Sequence, residues 1–176
     1  EWFKLKLQDL RAGQAKLLER LSYEQALTEC SRTLLAGHNE DDALIQALES
    51  ILKASSARRI VLCLNDSSGF SATMTHAVSA NEWNTNRHSG RSKTITFDQG
   101  FFAVAGGLAR GETVSGSIVG MDANRTAAFK KMGLRSYALM PFFVLDEWIG
   151  FLGIGSEMEE PPWQSEDLEI MRSAAE

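Results

Sequence analysis

The residues that could carry covalent or metal chemistry are few in this chain and lie far apart. Its thiols are Cys30 and Cys63, and its imidazoles are His38, His76 and His88. A metal site needs several such ligands at short, regular spacings, which these positions do not provide. We therefore expect no metal centre. Both cysteines fall in apolar patterns, which predict inert buried thiols rather than the exposed, low-pKa thiolates of catalysis.

The motifs of two common enzyme classes are also missing. The triplet 115–117 is Ser-Gly-Ser and is followed by Ile118, so the Gly-x-Ser-x-Gly turn of a serine nucleophile does not occur. The pair Gly106-Gly107 is not followed by the Gly-Lys-Ser/Thr of a phosphate-binding loop. We expect a protein that is not an enzyme, with no catalytic residue.

Ligand binding is the remaining chemistry, because small-molecule sites are mostly apolar with a few convergent polar groups. Arg125 or Arg91 could hold an anion, since a planar guanidinium matches a carboxylate or phosphate. For each aromatic residue the alternative is plain core packing. The candidate ligand-binding residues are Trp83, Phe97, Phe101, Phe102, Asp122, Arg125, Phe129 and Met140.

The apolar periodicity that positions these residues predicts an α+β fold. The β-branched run 60–64 indicates a central strand, and turn residues follow it. The next strand, 70–78, has on alternate positions Phe70, Ala72, Met74 and His76. The polar segment 81–93 predicts a long loop or a short helix around Trp83, of the kind that often closes over ligands.

The second half of the chain repeats the alternation of strands and helices. Strands are expected at 94–97, 112–118, 136–144 and 148–155, and helices at 100–110, 122–132 and from Ser165 onward. The connection at 146–147 lacks the Asn-Gly pair of the tightest hairpins, so its turn type is open. Strands in antiparallel pairs with helices at both ends predict a central antiparallel sheet between helical layers.

Residues 1–22 predict a leading long helix. Steps of four and three between apolar residues are typical of a coiled-coil seam, and a polar seam residue can fix its register. The alternative is one amphipathic helix lying on its own domain. The residues expected to pair across a dimer are Phe3, Leu7, Leu10, Gln14, Leu17 and Leu21.

Charge and composition exclude several classes of partner. The formal net charge is −5, from 18 Lys+Arg and 23 Asp+Glu, which opposes nucleic-acid binding. No stretch approaches the roughly 20 apolar residues of a spanning helix, so we expect no membrane insertion of this segment. Two cysteines cannot form a disulfide framework, which favours a cytoplasmic location. The chain lacks an initiator Met and its closing helix is truncated at 176, which predicts an excised piece whose full-length protein could carry an inner-membrane anchor.

Several short segments of the sequence occur in a characteristic order. They are Leu108–Glu112, Asp122, Gly133–Phe142, Trp148–Ser156 and Trp163–Leu168. This ordered set resembles the GAF domain over nearly everything after the first helix. The resemblance implies a profilin-like, PAS-related fold over residues 23–176, after the helix 1–22. A PAS domain is the rival fold, disfavoured by the length and by two helices before the first strand.

The resemblance also brings ligand expectations. Bilin-binding members attach the chromophore through a cysteine followed by histidine, whereas here Ser31 follows Cys30 and Leu64 follows Cys63. We therefore expect no bilin and no cofactor, although an unidentified small-molecule ligand is open. The Asn-Lys-x-Phe signature of cyclic-nucleotide binders has no counterpart, which weakens a nucleotide ligand.

The function implied by the resemblance is a sensing and dimerisation module of a bacterial signal-transduction protein. The host would be a sensor histidine kinase of a two-component system or a cyclic-di-GMP enzyme. The expected partners are a second copy, paired through the flanking helices, and a downstream effector domain. The alternatives are a purely structural dimerisation module with a filled pocket and, less favoured, an enzyme of the methionine-sulfoxide-reductase type.

Overall fold

The computed structural model describes residues 40–55, 57–80, 93–98, 100–121 and 123–156, together with isolated helical positions. Two compact units are present, Glu1–Ser55 and Ser56–Glu176. The predicted loop 81–93 lies outside the described residues except for Lys93, which is the first residue of a strand. Most of the predicted leading and closing helices also lie outside the described residues. The isolated helical positions are Arg11, Gly13, Gln14, Leu17, Leu18, Leu21, Glu24, Gln25, Thr28, Leu168 and Arg172.

In the first unit, helix α1 spans Glu40–Ala54. Its apolar residues recur at helical spacing, and Ile45, Leu48 and Ile51 are buried. Asp41 and Asp42 lie in its first turn and Lys53 lies in its last. At these positions their charges interact favourably with the helix dipole.

The second unit contains a six-stranded sheet in which each neighbouring pair of strands is antiparallel. The spatial order is β3-β2-β1-β6-β5-β4. The predicted α+β fold with a central antiparallel sheet is confirmed. The strands are β1 Arg59–Asn65, β2 Ser71–Ser79, β3 Lys93–Thr96, β4 Val114–Ser117, β5 Ser136–Val144 and β6 Glu147–Ser156.

Two helices of this unit, α2 at Phe102–Ala109 and α3 at Ala123–Met132, pack against one face of the sheet. We call it the helix-covered face. Strands β1, β2, β5 and β6 contribute Val61, Met74, Leu139 and Phe151 to the core on this face. The helices contribute Val104, Ala105, Leu108, Ala128, Phe129 and Met132.

Two bulges change which side chains reach the helix-covered face. In β2, Met74 pairs with Cys63 while His76 pairs with Leu62, which leaves Thr75 as the extra residue. The expected alternation therefore holds through Met74 and then breaks. His76 turns to the opposite face and Ala77 joins the core, because a bulge inserts one residue into the alternating pattern.

The second bulge lies in β6. Phe142 pairs with Gly150 and Phe143 with Trp148, so Ile149 is the extra residue. Without it, Trp148 would share the face of Gly150. With it, Trp148 packs against the core of the helix-covered face. Its carbonyl accepts a 2.8 Å hydrogen bond from Asn65 Nδ2, and its indole Nε1 donates to Gly150 O at 2.7 Å.

Glycines in β6 allow close packing. A Cβ on Gly153 would lie 2.8 Å from Val61 Cγ2 and 3.0 Å from Leu139 Cδ2. One on Gly155 would overlap Leu134. Close packing accounts for both, because neighbouring side chains occupy the space.

The hairpin between β5 and β6 resolves the turn type left open by the sequence. Val144 pairs with Glu147, so the loop consists of Leu145 and Asp146. Both have positive φ, 50° and 66°, as a type I′ turn requires. Such turns match the right-handed twist of the strands, which explains the geometry despite the absence of glycine.

Candidate functional site

Six aromatic side chains lie together on the helix-covered face and form what we call the aromatic cluster. Its closest pair is Phe129 and Tyr137, stacked with ring centroids 4.0 Å apart. Phe101 contacts Phe97 at 5.7 Å, Phe129 at 5.6 Å and Phe151 at 6.0 Å. Trp148 stacks on Phe97 at 5.5 Å. The four separations that involve Phe97 or Phe101 are in the favourable range for aromatic pairs, and the rings of Phe129 and Tyr137 lie closer still.

The start of α2 determines which phenylalanine enters the cluster. The amides of Phe101 and Phe102 donate to Asp98 O at 3.0 and 2.7 Å, and the Gly100 amide donates to Asp98 Oδ1 at 3.1 Å. This tight turn places Phe101 inward, fully buried, and Phe102 outward. Gly100 is needed where it stands, because a Cβ there would overlap the backbone of Asn124 at the start of α3.

The polar part of the site is the hydroxyl end of Tyr137. Burial raises the pKa of Tyr137, and the positive charge of Arg125 on α3 partly offsets that rise. Gly116 on β4 leaves space for the hydroxyl, since a Cβ there would lie 3.2 Å from it. Ile118 and Met121 are partly buried against the same core. The aromatic cluster thus ends at the phenol of Tyr137, with the guanidinium of Arg125 nearby.

The structure brings together three of the predicted ligand-binding residues, Phe97, Phe101 and Phe129. Two others are placed elsewhere. Phe102 is 69% exposed on the outer side of α2. Met140 is fully buried but alternates with Leu139, which puts it on the opposite face of the sheet.

The remaining predicted site residues divide as follows. Arg125 is exposed on α3, near Tyr137. Trp83 and Asp122 lie outside the described residues, as do Phe3, Leu7 and Leu10 of the predicted dimer seam. The seam residues that the structure describes are Gln14, Leu17 and Leu21, each helical and exposed.

Sequence reasoning missed Tyr137, Trp148 and Phe151. Tyr137 and Phe151 lie in strongly apolar strands, where an aromatic residue gives no signal beyond core packing. Alternation with Leu139 could have placed Tyr137 on the same face of β5, whereas Phe151 is placed there by the pairing of β6 with its neighbours. Trp148 could not have been found in this way, because the bulge at Ile149 inverts its direction.

The thiol and imidazole groups give no sign of catalysis in the described part of the chain. Cys63 is fully buried, and burial raises the pKa of its thiol well above the usual range. His76 is buried, with Nδ1 3.1 Å from Thr75 Oγ1. No group of three or more metal-ligating side chains occurs among the described residues. Cys30, His38 and His88 lie outside them.

Comparison with known proteins identifies the fold seen here. The family model for the GAF domain matches residues 39–176. The chain belongs to the GAF domain family. No curated protein sequence gives a significant match. The GAF domain is a sensory and signalling module and is generally a ligand-binding, regulatory one.

Solved structures match most of this chain at low sequence identity. The phycoerythrobilin-bound GAF domain of a cyanobacterial phytochrome has a TM-score of 0.70 and 13% identity, covering 88% of this chain and 91% of that one. The GAF domain of a Coxiella burnetii phosphoenolpyruvate-protein phosphotransferase has a TM-score of 0.65 and 15% identity, covering 89% of each. A methyl-accepting chemotaxis protein fragment has a TM-score of 0.62 and 14% identity, covering 83% and 89%.

The prediction of no cofactor, and of no bilin in particular, is wrong. Solved structures that match this chain hold phycoerythrobilin, phycocyanobilin and biliverdin. The prediction relied on the missing Cys-His pair, which concerns covalent attachment at one position. It did not consider binding without covalent attachment, for which small-molecule sites depend mostly on apolar lining residues.

Among the helices that the structure describes, none combines the length and the apolar character needed to cross a bilayer.

Proposed function

We propose that this GAF domain senses a small molecule for a bacterial signal-transduction protein and relays binding through flanking helices in a homodimer. The observation that carries the proposal is the aromatic cluster, which ends at the Tyr137 hydroxyl near Arg125. The host we propose is a sensor histidine kinase or a cyclic-di-GMP enzyme that supplies the effector domain.

The chemistry of the site favours a planar, largely apolar ligand that carries a carboxylate or another anionic group. Aromatic side chains bind such a ring system by stacking and apolar contact. Arg125 would pair with the anionic group, and the Tyr137 hydroxyl would donate a hydrogen bond to it. Arg125 also lies in the first turn of α3, where the helix dipole favours negative charge.

Open-chain tetrapyrroles fit this description, and several matching structures contain them. Attachment through Cys63 would be opposed by its burial and raised thiol pKa, because the thiolate is the nucleophile. The binding we propose is therefore one that does not use this thiol.

A relay from the ligand needs an element that responds to it. Helix α3 has Arg125 in its first turn, and its other end is hydrogen-bonded to β3. There Lys93 Nζ donates to Lys131 O at 3.2 Å, and Lys131 Nζ donates to Thr94 O at 3.4 Å. A ligand that draws Arg125 inward would favour one position of α3, and thereby of β3, as a population shift requires.

The test is a ligand screen on the purified chain, with biliverdin, phycocyanobilin, cyclic nucleotides and aromatic carboxylates as probes. A ligand at 100 times its Kd should raise the free energy of unfolding by about 2.7 kcal/mol, which appears as a higher Tm. In Tyr137→Phe and Arg125→Leu, the affinity should fall by about tenfold because each loses one polar contact.

The matched control is Lys130→Leu, which removes an exposed cation from the same helix at its far end. Its affinity should equal that of the wild type. The proposal fails if no probe raises the Tm, or if Lys130→Leu weakens binding as much as Arg125→Leu.

The second candidate function is a structural dimerisation module with no ligand. It is favoured by the full burial of Phe101, Phe129 and Phe151, which fill the core of the helix-covered face themselves. An absence of any thermal shift, together with helix-dependent dimerisation, would select this candidate.

A further inference from the structure

Five large apolar side chains are exposed at one end of the sheet, where they extend from both of its faces, and we call this set of residues the apolar end. Phe70 is 73% and Leu145 is 96% exposed, values unusual for side chains of this size in a folded domain. The residues of the apolar end are Leu64, Phe70, Phe143, Val144 and Leu145.

Strand register places these residues at the same end. Leu64 pairs with Gly150 near the start of β6, and Phe143 pairs with Trp148 two residues before it. Phe70 precedes β2, and its carbonyl accepts a 2.8 Å hydrogen bond from the Phe97 amide just beyond β3. Five neighbouring strands therefore finish or begin along this edge.

The tip of the apolar end is held in an unfavourable backbone conformation. Leu145 has a φ of 50°, a region that L-residues other than glycine, asparagine and aspartate avoid. Asparagine would adopt the same turn with less backbone strain. The leucine side chain is almost wholly exposed, so it gains no stabilising contact with the described chain that offsets this strain. A contact outside the domain would account for a leucine that is both strained and exposed.

Charge distinguishes the apolar end from the rest of the sheet. The segments 64–71, 96–102 and 142–150 contain no lysine or arginine. Their four carboxylates, each exposed, are Asp66, Asp98, Asp146 and Glu147. At the opposite end of the sheet the described charged residues are mostly basic and include Arg58, Arg59 and Arg135.

We propose that the apolar end is the docking surface for a protein segment that carries apolar side chains flanked by lysine or arginine. The apolar side chains would cover Phe70, Val144 and Leu145, and the cations would pair with the surrounding carboxylates. An anionic lipid surface would be repelled by these carboxylates. A second copy docking through the same end would bring like charges together.

The test uses the full chain and a synthetic peptide of about 18 residues, long enough for about five helical turns, with leucines on one face and lysines on the other. A peptide with glutamates in place of the lysines is the negative control. Fluorescence anisotropy measures the affinity, and NMR chemical shifts map the surface. We expect binding that weakens with added salt and shifts confined to the apolar end.

Two exposed valines give a matched pair of variants. Val144 belongs to the apolar end and Val119 lies in the turn before α3, and both are 56% exposed. Val144→Asn should weaken peptide binding by about tenfold, since a buried apolar contact is lost, whereas Val119→Asn should leave it unchanged. Leu145→Asn should weaken binding to a similar degree.

Three results would overturn the proposal. If Val144→Asn and Val119→Asn lose peptide affinity equally, or if the NMR chemical shifts change away from the apolar end, the peptide is attracted non-specifically to an acidic protein. Binding of phosphatidylcholine vesicles that Leu145→Asn abolishes would make the surface a lipid contact. A dimer that Leu145→Asn dissociates, with no peptide binding, would make it a contact between copies. None of these readouts depends on the small-molecule ligand proposed above.

Discussion

At the scale of single residues, β6 shows how much of the core depends on the absence of a side chain. Gly153 pairs with Val61 on one side and Leu139 on the other, and both side chains close over it. Gly106, in α2, has a different environment, because a Cβ there would meet only Arg110 Nη1, at an ordinary 3.6 Å. The two glycines therefore predict opposite effects of the same substitution.

Gly153→Ala should lower the free energy of unfolding by about 1–3 kcal/mol, because the added methyl overpacks a filled space. Gly106→Ala should leave it unchanged or raise it by up to about 1 kcal/mol, because alanine is the better helix former. Urea unfolding followed by circular dichroism measures both. Equal stability of the two variants would show that β6 can relax around the methyl.

At the scale of elements, the β5–β6 hairpin combines a favourable turn type with unfavourable residues. A type I′ turn is the natural connection for two twisted strands, but it requires positive φ at both central positions. Leu145 and Asp146 adopt these angles, and leucine is the poorer suited of the two.

Replacing both residues, Leu145→Asn with Asp146→Gly, should raise the free energy of unfolding by about 1 kcal/mol or more, because the backbone strain is relieved. The urea midpoint should increase with an unchanged m-value. A matched substitution in the β1–β2 turn, Ser67→Asn, should change stability little. A lower midpoint for the double variant would show that Leu145 stabilises the domain itself.

At the scale of the whole molecule, association through the leading helix is the property that sensing would use. Leu17 and Leu21 belong to the predicted seam, whereas Leu18 lies on the same helix outside it. Leu17 and Leu18 are 75% and 68% exposed, so substituting either disturbs little within one chain.

The double variant Leu17→Glu with Leu21→Glu should weaken dimerisation by at least about tenfold, because buried carboxylates would repel each other across the seam. Leu18→Glu should leave dimerisation close to that of the wild type. Sedimentation velocity over a range of concentrations measures both. If Leu18→Glu dissociates the dimer equally, or the wild type is monomeric, the seam prediction is wrong.

The sequence by itself determined the order and type of the described elements. The predicted strand 136–144 coincides with β5, and the predicted helix 122–132 differs from α3 by one residue. These elements can be predicted because periodicity, capping residues and turn residues act over a few positions of the chain. Short connections account for the antiparallel pairs β1–β2 and β5–β6, whereas the other three pairs join strands that are further apart in the sequence.

Only the tertiary structure decided which side chains share a site. The bulges at Thr75 and Ile149 move His76 off the helix-covered face and Trp148 onto it. Strand alternation separates Met140 from Phe129, although both are buried and apolar. These outcomes depend on hydrogen-bond register with strands distant in sequence, and a shift of one residue inverts every side chain that follows. Local patterns do not determine that register, so the stacking of Tyr137 on Phe129 became visible only in the folded structure.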